Sequence, residues 1–260
     1  MLTREPIARG PGRSFFRRLE DHLDRVLHER AAFGMPYITL AYAQSLDGSI
    51  AAEPGQMLRL SNSLSQAMTH HLRARHDAIL VGINTVLSDD PRLTVRLAAG
   101  KDPRPVVIDA CLRTPLGARL LASPAGAAIV ATSQTACPDR EKRLRKAGAL
   151  VVRVPSGPDG RLDLSTFLVL LAQMNVGSLM VEGGAGILNS FLSDRLADQL
   201  VVTISPRFVG GVPALARGDS GQIRSLPRIR NVRHQSLGGD LIVWGDLERQ
   251  RLSSPKGGSP

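Results

Sequence analysis

Between Tyr37 and Trp244 the chain alternates short apolar runs with amphipathic stretches. Residues 37–43, 78–81, 104–109, 127–131, 150–154, 178–181, 199–204 and 240–244 are brief and rich in Val, Ile, Leu and Ala, which predicts strands, several buried on both faces. The spacing over residues 63–75, 139–147, 164–175 and 187–192 predicts helices, with Ser61 placed to cap the first and Gly148 and Gly177 following the second and third. One more helix is predicted upstream, over residues 14–32, where Phe15, Leu19, Leu23, Val26 and Leu27 recur with charge between them. That stripe has to pack against the main domain or across a dimer interface. Strands alternating with helices predict an α/β fold around a mostly parallel sheet. The last strands follow one another without helices, so part of the sheet is expected to be antiparallel.

No internal repeat and no second core is evident. The expected organisation is an N-terminal extension over residues 1–35, one domain over residues 36–248, and a disordered Ser/Pro/Gly/Arg tail over residues 249–260. A composition of 43% hydrophobic and 22% charged residues excludes a largely disordered chain. No apolar run approaches the ~18 residues of a membrane helix, and the first residues lack the apolar core of a secretory leader. A cytoplasmic protein is expected. Cys111 and Cys137 stand alone, which excludes a disulfide scaffold and a cysteine zinc site.

The net charge of +10 changes the picture, because a basic surface draws polyanions. The arginines are scattered, however, and only nine aromatic residues are present, too few for a base-stacking platform. Nucleic acid is an unlikely partner on these grounds, and a phosphorylated small molecule suits the charge better. The stretch Val181-Glu182-Gly183-Gly184-Ala185-Gly186 ends a strand, turns through glycines and opens a helix. Such a turn can bring backbone N–H groups onto a pyrophosphate; equally it can be only a tight strand–helix connection. Gly82-Ile83-Asn84-Thr85 leaves a second strand end and runs into Asp89-Asp90-Pro91, which reads mainly as a turn. Arg96 can fork a phosphate or lie on the surface. Ser45-Leu46-Asp47-Gly48 is a turn after the first strand. His70, His71 and His76 are expected to be solvated, without the spacing of paired metal ligands, and no metal is expected.

In order along the chain, these motifs make residues 36–246 resemble the reductase domain of riboflavin biosynthesis. The resemblance rests on Pro36-Tyr37, Ser45-Leu46-Asp47-Gly48, Leu72-Arg73-Ala74, the string VGINTVLSDDPRLTVR over residues 81–96, VIDACLRTPLGARLL over 107–121, VEGGAGILNSFL over 181–192 and ISPRFVGG over 204–211. It implies a dihydrofolate-reductase-like fold. It also implies an NADPH-dependent reduction of the ribosyl group of a phosphoribosylamino-pyrimidine to its ribityl product; separately, a homodimer is the expected assembly. Carried over residue by residue, Thr85 and Asp89 would contact NADPH, and Ala43 would touch its nicotinamide side. Gly184, Ala185, Gly186, Ile187, Leu188, Asn189 and Ser190 would take the pyrophosphate. Arg73 and Arg96, with Leu93 beside them, would grip the substrate phosphate. Glu182 would hydrogen-bond the substrate and is the candidate catalytic residue.

Three positions depart from the family pattern: Ala41 replaces a lysine or other polar residue, Met57 a serine, and Arg59 a tryptophan. One wall of the implied pocket has thus become apolar. Two alternatives follow: a related reductase with a different phosphorylated or heterocyclic substrate, and a non-catalytic protein that recruits a pathway partner.

Overall fold

The computed structural model describes residues 17, 21, 23, 34–56, 58–215 and 226–248. Its elements run β1 (Tyr37–Ser45), β2 (Ser49–Ala51), α1 (Ser63–Arg73), β3 (Ala78–Gly82), α2 (Ile83–Asp89), β4 (Arg104–Ile108), β5 (Ile129–Ser133), α3 (Pro138–Lys146), β6 (Leu150–Val154), α4 (Leu164–Gln173), β7 (Ser178–Val181), α5 (Ala185–Ser193), β8 (Gln199–Ser205), β9 (Val212–Pro213), β10 (Ile229–Leu237) and β11 (Asp240–Leu247). Nine strands form one sheet in the order β10-β11-β8-β1-β7-β3-β4-β5-β6. Neighbours from β8 to β6 are parallel, while β11 pairs antiparallel with both β8 and β10. The mixed α/β architecture with a mostly parallel sheet is therefore the one the sequence pattern predicts.

Helices cover both faces, so the central strands are apolar on each side. One face carries Ile38, Leu40 and Leu80 against Phe167 and Phe191, and the other carries Ile79, Val81 and Val130 against Leu112 and Leu144. Each such side chain contributes about 1.5–3 kcal/mol on burial. Of the predicted upstream helix, Arg17, Asp21 and Leu23 are described, and all three are helical. Leu23 is fully buried among Met68, Leu72, Met180 and Trp244, so that point of the stripe packs on the domain. The rest of that helix, Met57 and the predicted tail lie outside the described residues.

Several local readings need correction. Asn62, not Ser61, caps α1: its Oδ1 accepts from the N–H groups of Leu64 (2.9 Å) and Ser65 (3.1 Å). Its amide also donates to the carbonyls of Leu237 and Gly238, so one side chain starts the helix and holds the β10–β11 turn. Strand β10 escapes a periodicity reading because its residues are mostly polar and exposed, as befits an edge. Helix α2 escapes it because it is only seven residues long and Gly82 offers no capping side chain. Two of the three histidines expected in solvent are buried, His70 and His76 each at 5% exposure. His76 donates from Nδ1 to the Leu72 carbonyl (2.7 Å), and its Nε2 meets the Thr39 hydroxyl (2.9 Å), tying α1 to β1.

Candidate active site

Parallel strands leave their carboxyl ends on one edge, where the chain must turn into a helix or loop. Here β1, β3 and β7 are neighbours in that register: Leu40 and Leu80 both lie opposite Val181. The residue after Val181 is Glu182, whose N–H donates to the Leu80 carbonyl (2.9 Å). Two cavities open at this edge, of about 850 and 300 Å³, and they share Ala41, Tyr42, Ala43 and Glu182 as a common wall.

Two glycine turns shape the larger cavity. A Cβ on Gly82 would sit 2.8 Å from the Ile187 side chain, and one on Gly183 only 2.5 Å from it. Ile187 is wedged between the β3–α2 and β7–α5 turns, so both positions must lack a side chain. Gly184 is different: a Cβ there would meet only the Thr85 hydroxyl, at 3.9 Å, and one on Gly186 would meet nothing within 4 Å. The space above these two glycines is open, and it lies at the N-terminus of α5, whose first-turn N–H groups have no helical carbonyl to bond. An anion fits there for both geometric and electrostatic reasons. Thr85, Asp89, Ala185, Ser190 and Ala43 also line this cavity.

Leu188 and Asn189 do not. Leu188 is fully buried in the core, and Asn189 donates to the carbonyls of Ala185 (2.7 Å) and Ala214 (3.3 Å). A helix turns 100° per residue, so a contiguous segment cannot present every side chain to one ligand. Leu93 is likewise absent from the cavity walls. It is 3% exposed and packs with Val86 and Leu112, its φ of 57° bending the loop that carries Thr94 and Arg96.

The smaller cavity gathers Arg73, Arg96 and Glu182. Arg73 Nε and Nη2 donate to the two oxygens of Glu182 at 2.7 and 2.6 Å, and its Nη1 donates to the Thr94 carbonyl (3.1 Å). Burial opposes the Arg73 charge, but the Glu182 carboxylate outweighs it and raises the guanidinium pKa. Arg96 has the opposite setting. Burial and then the guanidiniums of Arg73, Arg92 and Arg119 lower its pKa, and among the described residues no carboxylate forms an ion pair with it. This excess of positive field favours an incoming anion.

Sequence reasoning missed His70, which lines the same cavity. The available signal was its spacing: three residues before Arg73 on one helix puts both on the same face. Thr69, Ser61, Tyr42 and Thr203 add hydroxyl groups to a cavity whose floor includes Ala41, Met68 and Val201. Ala41 is 7% exposed and offers no hydrogen bond. Arg59 is exposed and lines neither cavity.

The Ser45–Gly48 motif has a structural task. The Asp47 carboxylate accepts from the hydroxyls of Ser45 (2.5 Å) and Ser49 (3.0 Å) and from the N–H groups of Val209 (3.0 Å) and Gly210 (2.8 Å). The Ser45 hydroxyl and then the Gly210 N–H hold its carboxyl well below the usual range. These bonds fasten the β1–β2 turn to the loop before β9, and the β2–β9 pair forms part of the rim of the larger cavity.

Residues 36–243 match the family described as the RibD C-terminal domain. The chain is 39% identical over 214 residues to the 2,5-diamino-6-ribosylamino-4(3H)-pyrimidinone 5′-phosphate reductase of Methanothermobacter thermautotrophicus, covering 80% of this chain and 96% of that protein. It is 34% identical over 229 residues to the riboflavin biosynthesis protein RibD of Aquifex aeolicus, covering 86% of this chain but only 60% of that longer protein. Among solved structures, the riboflavin biosynthesis reductase Rib7 of Saccharomyces cerevisiae superposes with a TM-score of 0.67 at 26% identity, over 88% of this chain and 99% of that one. Sequence, relatives and fold agree, and the chain belongs to the RibD C-terminal domain family.

Proposed function

We propose that this chain is an NADPH-dependent reductase that converts a phosphoribosylamino-pyrimidine to its ribitylamino product. The observation that carries the reading is the common wall of the two cavities. A site suited to a dinucleotide pyrophosphate and a basic site suited to a phosphorylated substrate meet at Ala41–Ala43 and Glu182. The names of the relatives support the substrate class.

Bound in the larger cavity, the nicotinamide would supply a hydride. The chain's own part is to hold the reacting carbon within reach and to manage charge. The α5 N-terminus and the open face of Gly184 would hold the pyrophosphate, with Thr85 and Asp89 beside it. Arg113 and Arg161 also line this cavity and would favour a cofactor carrying the 2′-phosphate. Arg96 would take the substrate phosphate. Glu182, gripped by Arg73, is a fixed acceptor for the amino groups of the pyrimidine. In balance, the ring-opened imine would gain the hydride at C1′ and a proton from solvent at nitrogen, giving the ribitylamino product.

The test is NADPH consumption by the full chain with 2,5-diamino-6-ribosylamino-4(3H)-pyrimidinone 5′-phosphate and with its deaminated counterpart. Saturable turnover of either supports the reading, and binding of both partners without turnover contradicts it. A second reading, reduction of a different phosphorylated or heterocyclic substrate, is favoured by one observation: Ala41 puts only a methyl group on the common wall. Turnover with neither pyrimidine, but with another phosphorylated heterocycle, would select it.

A further inference from the structure

The small cavity holds a further hydrogen-bonding group that neither the motifs nor the relatives single out. His70 sits on α1 one turn before Arg73, is 5% exposed as a residue, and lines the cavity that holds Arg96 and Glu182. The backbone N–H of Arg96 donates to its Nδ1 at 2.9 Å. A ring nitrogen that accepts cannot carry a proton, so in the neutral imidazole the proton belongs to Nε2. His76, three residues past the end of α1, has the reverse assignment, because its Nδ1 donates to a carbonyl. The tautomer of each ring is therefore set by its own partner.

The Arg73 and Glu182 side chains of the cavity are largely committed to each other. Glu182 can only accept. Arg73 already directs Nε, Nη1 and Nη2 to Glu182 and Thr94. Arg96 spends one Nη1 bond on the Thr94 hydroxyl and keeps its other donors. Among the described residues His70 Nε2 has no hydrogen-bond partner, and His70 is among the residues that line the cavity. We propose that His70 is a substrate-binding residue, donating from Nε2 to an acceptor oxygen of the phosphorylated substrate beside Arg96.

The charges around the ring suit a neutral donor. Arg73 on its own helix and Arg96 on the facing loop oppose protonation, while Glu182 after β7 and Asp102 on the loop before β4 favour it. Burial comes first among the causes, and the balance holds the imidazole pKa down at about 4. His70 then keeps one proton, on Nε2, throughout the neutral range. A charged imidazolium would lose the acceptor that fixes the Arg96 loop.

The inference rests on the proposed reductase reading, and two side chains separate its parts. Asn places an oxygen near the Nδ1 position but has nothing at Nε2. Gln places an amide near Nε2 but loses the acceptor at Nδ1. In the full chain, His70→Asn should keep the wild-type melting temperature and raise KM for the pyrimidinone phosphate at least tenfold. His70→Gln should show the reverse: a smaller rise in KM and a lower melting temperature. The wild-type KM should carry no inflection between pH 5.5 and 7.5 assignable to His70, and imidazole ¹⁵N shifts should report the Nε2–H tautomer across that range. Wild-type KM in His70→Asn would overturn the inference alone and leave His70 as a loop fastener. Absence of turnover and of binding in the wild-type chain would overturn the reductase reading, and the inference with it.

Discussion

Arg73 and Glu182 form a two-pronged ion pair, at 2.7 and 2.6 Å, with side chains only 12% and 18% exposed. The family resemblance implies a substrate role for both; in the structure they bond to each other. Arg73 positions the carboxylate, and Arg96 is left as the cation with donors to spare. Removing one partner strands the other charge, so Arg73→Ala should destabilise the fold by about 2–4 kcal/mol, discounted for residual exposure. Lysine cannot reproduce the fork, and Arg73→Lys should recover less than half of that loss. Urea unfolding of both variants and of Glu182→Ala checks this, and the double variant should lose less than the sum of the singles.

Arg96 lies in a field of guanidiniums with no paired carboxylate among the described residues, so its loss should not cost stability. Arg96→Gln should raise KM for the phosphorylated substrate about 30-fold, equivalent to roughly 2 kcal/mol. The change in kcat should be small, since the contact is made alike in the ground and transition states. With the dephosphorylated compound, wild type and variant should have the same KM. Steady-state kinetics on the two compounds decide the matter.

The adjacent glycines Gly183 and Gly184 should respond oppositely to substitution. A Cβ on Gly183 collides with Ile187, whereas one on Gly184 enters open cavity. Gly183→Ala should therefore lower the melting temperature by several degrees, as overpacking costs typically 1–3 kcal/mol. Gly184→Val should melt within about two degrees of wild type yet bind NADPH more than tenfold more weakly, by obstructing the backbone's approach to the pyrophosphate. Calorimetric titration with NADPH, paired with thermal melts, separates the two effects.

The buried histidines give the stability a pH dependence of known sign. The His70 pKa falls from 6.5 to about 4, burial being the first cause, and the His76 pKa is lowered in the same direction. Unfolding therefore takes up protons in this window. Their contribution is fully present above pH 6.5 and declines as the pH falls toward 4. Asp47 and Glu141 are depressed carboxylates whose contributions are lost only at lower pH. Urea midpoints from pH 4.5 to 7 should slope upward in wild type and less steeply in His70→Asn. Parallel slopes would contradict a neutral, buried His70.

The parallel core was readable because β3, β4 and β7 are buried on both faces and so nearly continuous in apolar residues. The edge strand β10 was not, because Arg230, Asn231, Arg233 and His234 face solvent and carry no burial signal. The site was half readable. Glycine turns at strand ends announce a place where backbone can approach a ligand, and Gly82 and Gly184 both line the larger cavity. Chain spacing says nothing about which charges meet across a fold. The Arg73–Glu182 pair joins residues 109 apart, and the His70 tautomer depends on an N–H 26 residues away. Leu188 and Asn189 were carried into the site by adjacency, which helical geometry then reversed.

The most direct test of the account follows the hydride itself. The full chain is supplied with NADPH carrying deuterium at both C4 positions, together with 2,5-diamino-6-ribosylamino-4(3H)-pyrimidinone 5′-phosphate, and the product is examined by mass spectrometry and NMR. The account predicts one deuterium per product molecule, at C1′ of a ribityl chain, in amounts equal to the NADP⁺ formed. NADPH oxidation that leaves no deuterium on the sugar, or a chain that binds both compounds and transfers none, would contradict it.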